Sequence, residues 1–371
     1  MRFLKIHKIF FSESMNNLKF DSLINLKLTQ ESGQTSQSPW KYNSVGNTDE
    51  FSELIYLKVP SIIDVLNDET INLNKLPVLL KLSQDKTNFN QFTYLYKFPK
   101  KVEKKDFSIN AGSFSKNEIK IIEDEIKKEL SKIYDLDFNL EKFYKFLSDD
   151  EKLAPSVDFC NGLRLFIAKD PFECIISSIC SANNSILRWT KSIDKIKSNW
   201  GQKVEFEDGL FYGFPKPNQF LDFYETPIEE ADADGHSYEM DCYTHNLKSC
   251  GVGYRAPYMK KASQMLIDDI DIDDIFSMDY EEAFDLIIDL PGVGPKVADC
   301  ILLYGFGFEE AFPSDVWIKR IVSHLYFDGE DISADKTRDF GIEHFGEYAG
   351  YAQLYLFHYA RKSGLMDKIK K

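Results

Sequence analysis

The rhythm of apolar and polar positions changes about a third of the way along the chain. In the first hundred residues, apolar side chains recur at every second position. Ile24, Leu26 and Leu28 form one such run, and Ile55, Leu57 and Val59 form another that Pro60 ends. A period of two marks a half-buried strand. Between these runs, residues 31–49 are rich in Ser, Gln, Asn and Gly and read as a loop. The expectation is a β-rich N-terminal domain over residues 1–110.

From about residue 115 the spacing becomes helical. Ser115 with Glu118 three residues on predicts a capping box, and Ile119, Ile122, Ile126, Leu130 and Ile133 then share one face. Asp170-Pro171-Phe172-Glu173 predicts another helix start, with Asp as N-cap and Pro at the first helical position. Phe172, Ile175, Ile176 and Ile179 supply that helix's apolar face. From there to Lys371 the pattern reads as mostly helical, broken by short glycine turns. The predicted fold class is therefore α+β: an antiparallel β-rich N-terminal domain, then a mostly α-helical region over residues 111–371. No repeats occur at solenoid spacing.

Composition changes the picture in two respects. With 30 Phe and 19 Tyr among 371 residues, a wholly disordered chain is excluded. No run of about 18 apolar residues is present, and Met1–Phe11 mixes Lys5, His7 and Lys8 into its apolar positions, so neither a membrane partner nor secretion is expected. Charge is the awkward feature. The 45 Lys and Arg stand against 60 Asp and Glu, a net of -15 that argues against a phosphate-bearing partner. The acidity is local, however. Residues 205–241 hold 11 acids and one base, and residues 268–289 hold 10 acids and no base. The rest of the chain is net basic, and the two runs read as solvated surface. The six cysteines, Cys160, Cys174, Cys180, Cys242, Cys250 and Cys300, show no C-x-x-C spacing, and reduced thiols are expected.

The chemistry concentrates in residues 286–322, LIIDLPGVGPKVADCILLYGFGFEEAFPSDVWIKRIV. A helix ends near Asp289, Pro291 cannot continue it, Gly292 and Gly294 permit a tight turn, and a second helix restarts at Lys296. This predicts a helix-hairpin-helix at about residues 284–305. Its glycines let amides at a helix N-terminus approach a phosphate, a contact that positions a duplex without reading it. The carbonyls of Ile288, Leu290 and Val293 are candidates for holding a monovalent cation. Lys296 reads either as a surface lysine beside a phosphate or as an amine nucleophile, which would need its pKa lowered by burial or by a neighbouring charge. Nineteen residues on, Asp315 in Pro313-Ser314-Asp315-Val316-Trp317 reads as a helix cap, and a carboxylate there can also stabilise a developing cation.

The ordered set LPGVGPKVADC…FPSDV resembles the active-site signature of helix-hairpin-helix DNA glycosylases, and within them the 8-oxoguanine DNA glycosylase/AP lyases. The resemblance implies that Lys296 displaces the damaged base from C1′ and forms a Schiff base. It makes Asp315 the carboxylate that supports the oxocarbenium-like transition state, and β-elimination then nicks the strand. It extends to Asp170–Asn184, where it implies that Asn183 fills the gap left by the flipped base and that Arg188 contacts the orphaned cytosine. In Gly251-Val252-Gly253-Tyr254-Arg255-Ala256 it implies that Tyr254 wedges the stack and that Arg255 donates to the same cytosine. For the base pocket it implies Gly33 of Ser32-Gly33-Gln34, whose carbonyl would accept the N7–H that only the oxidised base carries. Cys300 would stack under that base. From Tyr351-Ala352-Gln353-Leu354-Tyr355-Leu356-Phe357 it implies Gln353 at the base edge and Phe357 on its face.

Two positions depart from the family. A His expected two residues after the Asp is Trp317, and the acidic partner of that His is Ala360. The insert at residues 225–241 is also longer than the family norm. Endonuclease III-like relatives carry four C-terminal cysteines for an iron–sulfur cluster, and none follows Cys300 here. No iron–sulfur cluster and no required cofactor are therefore expected. Alkyl-base glycosylases generally lack the lysine. A related glycosylase with another base specificity, or a non-catalytic DNA-binding module, are the alternative readings. The implied partner is damaged double-stranded DNA bound by a monomer, and the implied location is intracellular, in cytoplasm, nucleoid or nucleus.

Overall fold

The computed structural model describes residues 18–66, 74–103, 105–106, 113–225 and 245–369. The first layer is a five-stranded antiparallel sheet in the order β1-β5-β4-β3-β2. Its strands are β1 (Leu18–Asp21), β2 (Lys41–Val45), β3 (Thr48–Leu57), β4 (Leu76–Asp85) and β5 (Gln91–Lys97). A second sheet, in the order β7-β6-β8-β9, joins β6 (Lys101–Val102) and β7 (Lys105–Asp106) to a later hairpin, β8 (Lys203–Phe206) and β9 (Gly209–Tyr212).

The helices run α1 (Leu26–Glu31), α2 (Pro60–Leu66), α3 (Lys116–Ile133), α4 (Leu140–Asp149), α5 (Ser156–Phe159), α6 (Pro171–Ser181), α7 (Ile186–Trp200) and α8 (Pro217–Leu221). After the break come α9 (Ala256–Asp268), α10 (Tyr280–Ile288), α11 (Pro295–Ile301), α12 (Val316–Tyr326), α13 (Ala334–Phe345), α14 (Ala349–Lys362) and α15 (Leu365–Ile369). The α+β class and its order, sheet first and helical core after, are as the sequence predicts. No helix among the described residues is long and apolar enough to cross a membrane.

Where capping chemistry is strong, the sequence reading holds. Ser115 and Glu118 exchange both bonds of a capping box, and Asp170 accepts from Phe172 N with Pro171 behind it. Three expectations fail for physical reasons. Leu26 and Leu28 are not on a strand. Asn25 accepts the Leu28 amide at 3.0 Å and starts α1, which buries Leu26, Thr29 and Gln30 at helical spacing. The expected loop over residues 31–49 is irregular only to Trp40. Residues 41–45 then form β2, a fully exposed edge strand that pairs with β3 across the Gly46–Asn47 turn. Backbone pairing sets that strand, so no apolar alternation announces it. The hairpin β8–β9 interrupts the region read as helical. Val204, Phe206 and Phe211 are buried, and Gly209 turns the chain at φ +115°.

Two cores result. One unites the helices from α4 onward. The other lies under the five-stranded sheet and takes in Ile122, Ile126, Leu130 and Ile133 of α3, so α3 packs with the sheet although it lies past residue 110. Between the cores runs a polar loop, residues 32–40, in which Ser32, Gln34, Thr35, Ser36, Gln37 and Ser38 are all buried. Gln34 Nε2 donates to the Arg164 carbonyl at 3.1 Å, Phe166 N donates to Gln34 Oε1 at 2.8 Å, and Gln37 Nε2 donates to the Ile167 carbonyl at 3.1 Å. Beside this loop, four charges meet out of water. Glu53 of β3 pairs with Lys169 and, at 3.2 Å, with Lys197 of α7, which lies 3.7 Å from Glu173 of α6. Burial pushes the Glu53 carboxyl up, but the two ammonium groups outweigh it and the net shift is downward. Burial leaves Glu173 raised.

A buried charge deprived of its partner is costly. Lys197→Met is expected to lower stability by about 3–5 kcal/mol in urea unfolding. A loss below about 1 kcal/mol would show that the cluster does not hold the two layers together.

Candidate active site

The hairpin forms where the sequence places it. Asp279 caps α10, accepting Glu282 N at 2.9 Å, and the helix ends at Asp289. Val293 N donates to the Leu290 carbonyl at 3.0 Å, which closes the turn. The two glycines serve different ends. Gly292 has φ +84°, and a Cβ there would lie 2.8 Å from Tyr258 Cβ on α9, so it is required by strain and by packing. Around Gly294, the N-cap of α11, a Cβ would meet nothing within 4 Å. Among the described residues neither glycine amide donates to a backbone carbonyl. Of the three carbonyls proposed for a cation, that of Leu290 already accepts the Val293 amide, which leaves it one lone pair.

Helix α11 carries Lys296 and, one turn on, Cys300 into one wall of a cavity of about 410 Å³. Asp299 anchors this helix from behind. It is fully buried and is bonded by Arg338 Nε of α13 at 2.8 Å and by the Tyr280 hydroxyl of α10 at 2.5 Å. After Ile301 the helix widens into a π-turn over Leu302–Phe306, and the Tyr304 carbonyl accepts the Ala168 amide at 2.7 Å. Such wide turns commonly sit at functional sites; this one brings Tyr304 into the cavity wall.

The half-buried Lys296 departs from expectation. A nucleophilic lysine was expected to have a lowered pKa. Burial does act to lower it, but Cys300, Asp315 and Asp299 together more than reverse that, and the net shift is upward from 10.5. The resting amine is held as an ammonium. Cys300 itself is raised by burial.

Asp315 performs its local task without using up its carboxylate. Oδ1 alone accepts both Trp317 N at 2.9 Å and Ile318 N at 2.8 Å, capping α12. Both amides converge on one oxygen, so Oδ2 carries no backbone donor, and the residue lines the same cavity as Lys296. Gly33 enters from the buried loop with φ +92°, and a Cβ there would lie 2.6 Å from Ile186 Cδ1. From α14 come Gln353, whose Nε2 donates to the Pro313 carbonyl at 3.1 Å, and Phe357, with the Arg361 guanidinium 5.3 Å over its ring. Gly33, Lys296, Cys300, Asp315, Gln353 and Phe357 thus meet in one cavity, although 324 positions separate the first from the last.

Beside the cavity stands an exposed edge. Asn183 has φ +50°, and its Nδ2 donates to the Tyr254 hydroxyl at 3.5 Å. Tyr254 is 55% exposed, and Arg188 lies on the open end of α7. Arg255 is bonded within the chain. Its side chain turns inward, with Nε donating to the Ala182 carbonyl at 2.8 Å, Nη2 to Ala182 and Asn183, and Nη1 to Val252 at 3.2 Å. In this structure it braces the loop that carries Asn183, and its planar fork is spent on carbonyls.

Sequence reasoning missed Thr35, Ile186, Tyr304 and Arg361, all of which line the cavity. Thr35 follows Gln34 directly but sits on an irregular loop that no periodicity marks. Trp317, in place of the family's His, also lines the cavity and stacks under Arg320 at 5.3 Å, while Ala360 is fully buried. The acidic run at 226–241 and Cys242 lie outside the described residues.

Comparison with known proteins points to one family. Residues 17–175 match the family "8-oxoguanine DNA glycosylase, N-terminal domain", and residues 176–343 match the "HhH-GPD superfamily base excision DNA repair protein". A probable N-glycosylase/DNA lyase of Methanothermobacter thermautotrophicus is 39% identical over 93% of this chain and 96% of its own. The Clostridium acetobutylicum 8-oxoguanine glycosylase/lyase, solved with duplex DNA holding cytosine opposite 8-oxoG, is 27% identical. It superposes with a TM-score of 0.64 over 92% of this chain and 93% of that one. A 3-methyladenine DNA glycosylase of Archaeoglobus fulgidus shares the fold alone, at 21% identity and a TM-score of 0.63 over 93% of this chain and 99% of its own.

The inward Arg255 has a measurable consequence. Arg255→Ala is expected to speed hydrogen exchange of the amides at 182–185 by about tenfold, as loss of bonds worth about 1.4 kcal/mol would. Unchanged exchange would mean that the guanidinium does not hold this loop.

Proposed function

Since the chain belongs to the N-glycosylase/DNA lyase family, we propose that it excises 8-oxoguanine from duplex DNA and nicks the abasic strand through a Schiff base on Lys296. The observation that carries this reading is the convergence of Lys296, Asp315, Gly33 and Gln353 on one cavity, with Lys296 on the helix that the hairpin turn starts.

The target C1′ lies inside a duplex, so the nucleotide must be extruded, at a cost of a few kcal/mol. Asn183 and Tyr254, already in contact on the exposed edge, are the groups to occupy the gap, and Arg188, exposed on α7, is the guanidinium to reach the orphaned cytosine. Amides at Gly292 and Gly294 take a phosphate and fix register. A monovalent cation on the carbonyls of Ile288, Leu290 and Val293 would add positive charge at that turn. In the cavity, the Gly33 carbonyl tests for N7–H, Gln353 meets the base edge, and Phe357 and Cys300 cover its two faces. A single buried hydrogen bond can discriminate strongly, because the wrong base leaves a polar group unpaired.

The chemistry then follows in order. The N-glycosidic bond to C1′ breaks and the base departs with the bonding electron pair. Asp315 Oδ2 faces the positive charge that develops on the sugar. The Lys296 amine, after giving one proton to the departing base, bonds to C1′. The adduct nitrogen loses a proton, the C1′–O4′ bond breaks as O4′ takes up a proton and leaves as a hydroxyl, and the nitrogen lone pair closes the C=N bond of the iminium. Loss of a C2′ proton then expels the 3′ phosphate. A protein that does this acts on genomic DNA within the cell, and one copy of the chain holds every group used.

Sodium borohydride with a duplex holding 8-oxoguanine opposite cytosine should give a covalent adduct, which Lys296→Gln removes. An undiminished adduct from that variant would sink the mechanism. Asp315→Asn keeps the cap, since Asn caps as well as Asp. It should therefore unfold at the wild-type temperature while excision falls about a hundredfold or more. The pH dependence has a definite sign. The reactive form is the amine, and the free-enzyme pKa lies above 10.5, so kcat/KM for nicking should climb with pH across 6 to 9 without a plateau. A plateau near pH 7 would contradict the raised value.

A further inference from the structure

We propose that Arg361 is a specificity-determining residue for this reaction: its guanidinium donates to the C8 oxygen of the extruded base, a second mark of oxidation read beside the N7–H. The proposal rests on the reading of the cavity as the pocket for 8-oxoguanine. On α14, Gln353, Phe357 and Arg361 recur at every fourth residue and so form one ridge of the helix. All three line the cavity. The Arg361 guanidinium lies 5.3 Å over the Phe357 ring, and a Cβ at Gly33 would lie 3.7 Å from Arg361 Nη1. The cation therefore stands beside two of the groups that the proposed function sets around the base, Gly33 and Phe357.

The donors of this guanidinium are unspent. Gln353 gives Nε2 to the Pro313 carbonyl, and Asp315 gives Oδ1 to two amides. Among the described residues, no carboxylate pairs with the Arg361 side chain, and no carbonyl or hydroxyl accepts from it. A guanidinium has five donors in one plane and no acceptor, so an oxygen is what completes it. A long cation that could extend into water is laid across an aromatic ring in the cavity wall instead.

Burial along the ridge decides which oxygen that is. Gln353 is 7% exposed, at the buried end. Arg361 is exposed, at the open end, about 12 Å further along the axis at about 1.5 Å per residue. A base swung in from the duplex keeps its sugar at the mouth and enters with its far edge first. In 8-oxoguanine, C8 is bonded both to N9, which carries the sugar, and to N7, whose hydrogen is offered to Gly33. O8 is thus the base oxygen at the mouth, next to the N7–H, while O6 lies on the edge that meets Gln353. Guanine presents a C–H in place of O8 and leaves the guanidinium without that acceptor. The bond also strengthens as the glycosidic bond breaks, because the electron pair left on N9 is conjugated through C8 to O8.

The test is single-turnover excision from duplexes that differ only in the lesion. Each rate is divided by the same variant's nicking rate at a preformed abasic site, where no base is present. That division removes any loss through folding or through a phosphate contact. Arg361→Leu keeps an apolar cover over Phe357 and removes the donors. Its normalised rate on 8-oxoguanine should fall about tenfold, the worth of a charge-assisted hydrogen bond at a wet cavity mouth. On 8-thioguanine, which keeps the N7–H but offers sulfur in place of O8, the fall should be less than about threefold, because sulfur is a weak acceptor. On 8-oxoadenine, which keeps O8 and the N7–H but carries an amine in place of O6, the full fall should return. An unchanged normalised rate on 8-oxoguanine would assign Arg361 to the DNA backbone or to the surface. An equal fall on the oxygen and sulfur lesions would show a role in shape alone, and a fall that vanishes on 8-oxoadenine would move the contact to O6. Each of these overturns the proposal. Should Arg361→Leu fail to fold, Arg361→Met, equally without donors and unbranched, is read in the same way. Wild-type protein that nicks abasic sites but leaves 8-oxoguanine in place would instead refute the base assignment on which the proposal rests, before any variant is made.

Discussion

Polar side chains taken out of water fix the docking of the layers they separate through the directed bonds they make. Residues 32–40 are in that position, with six polar side chains buried between the sheet and the helical core. Their bonds to Arg164, Phe166 and Ile167, and the neighbouring cluster of Glu53, Lys169, Glu173 and Lys197, are satisfied only when the two layers dock in one way. Apolar faces would tolerate sliding; this seam does not. Charge pairs at such a seam need not add net stability over a greasy one, but they penalise every other arrangement.

That uniqueness makes the cavity possible. Gly33 and Thr35 belong to the loop, Lys296 and Cys300 to α11, Asp315 to the start of α12 and Gln353 to α14. No pair of these segments is adjacent in sequence except through long connections. Positioning a nucleophile to within a fraction of an ångström of a sugar carbon depends on the docking of elements that carry none of the chemistry. Asp299, buried and held by Arg338 and Tyr280, does the same for α11 from the other side.

Much of this was legible in the chain. The hairpin, the caps at Ser115 and Asp170, and the cap at Asp315 were readable because each depends on a few neighbouring residues. Gly33, Cys300, Gln353 and Phe357 came through resemblance alone, since singly each reads as an ordinary core or turn residue. What escaped was set by distant partners. The strand β2 exists because β3 offers a free edge, and α1 exists because Asn25 outweighs a two-residue alternation. Thr35 comes to the cavity only because Ser178 of α6, far away in sequence, meets its hydroxyl. The bracing of the Asn183 loop by Arg255 was not legible, because a sequence shows a cation without showing the carbonyls around it. The state of Lys296 was misjudged because burial, which alone would free the amine, is outweighed by Cys300 and Asp315.

The hairpin glycines bear on thermodynamics as well as geometry. A neutral amide grips a phosphate oxygen without cancelling its charge, so the cloud of condensed cations around the duplex is left largely undisturbed. Proteins that bind through many lysines and arginines gain their affinity by releasing those cations and lose it steeply as salt rises. A chain of net charge -15 that gripped DNA through Gly292 and Gly294, as proposed, would draw little on that entropy. A hold so built would consist of directed bonds, and so would vary little with the ionic strength of its surroundings.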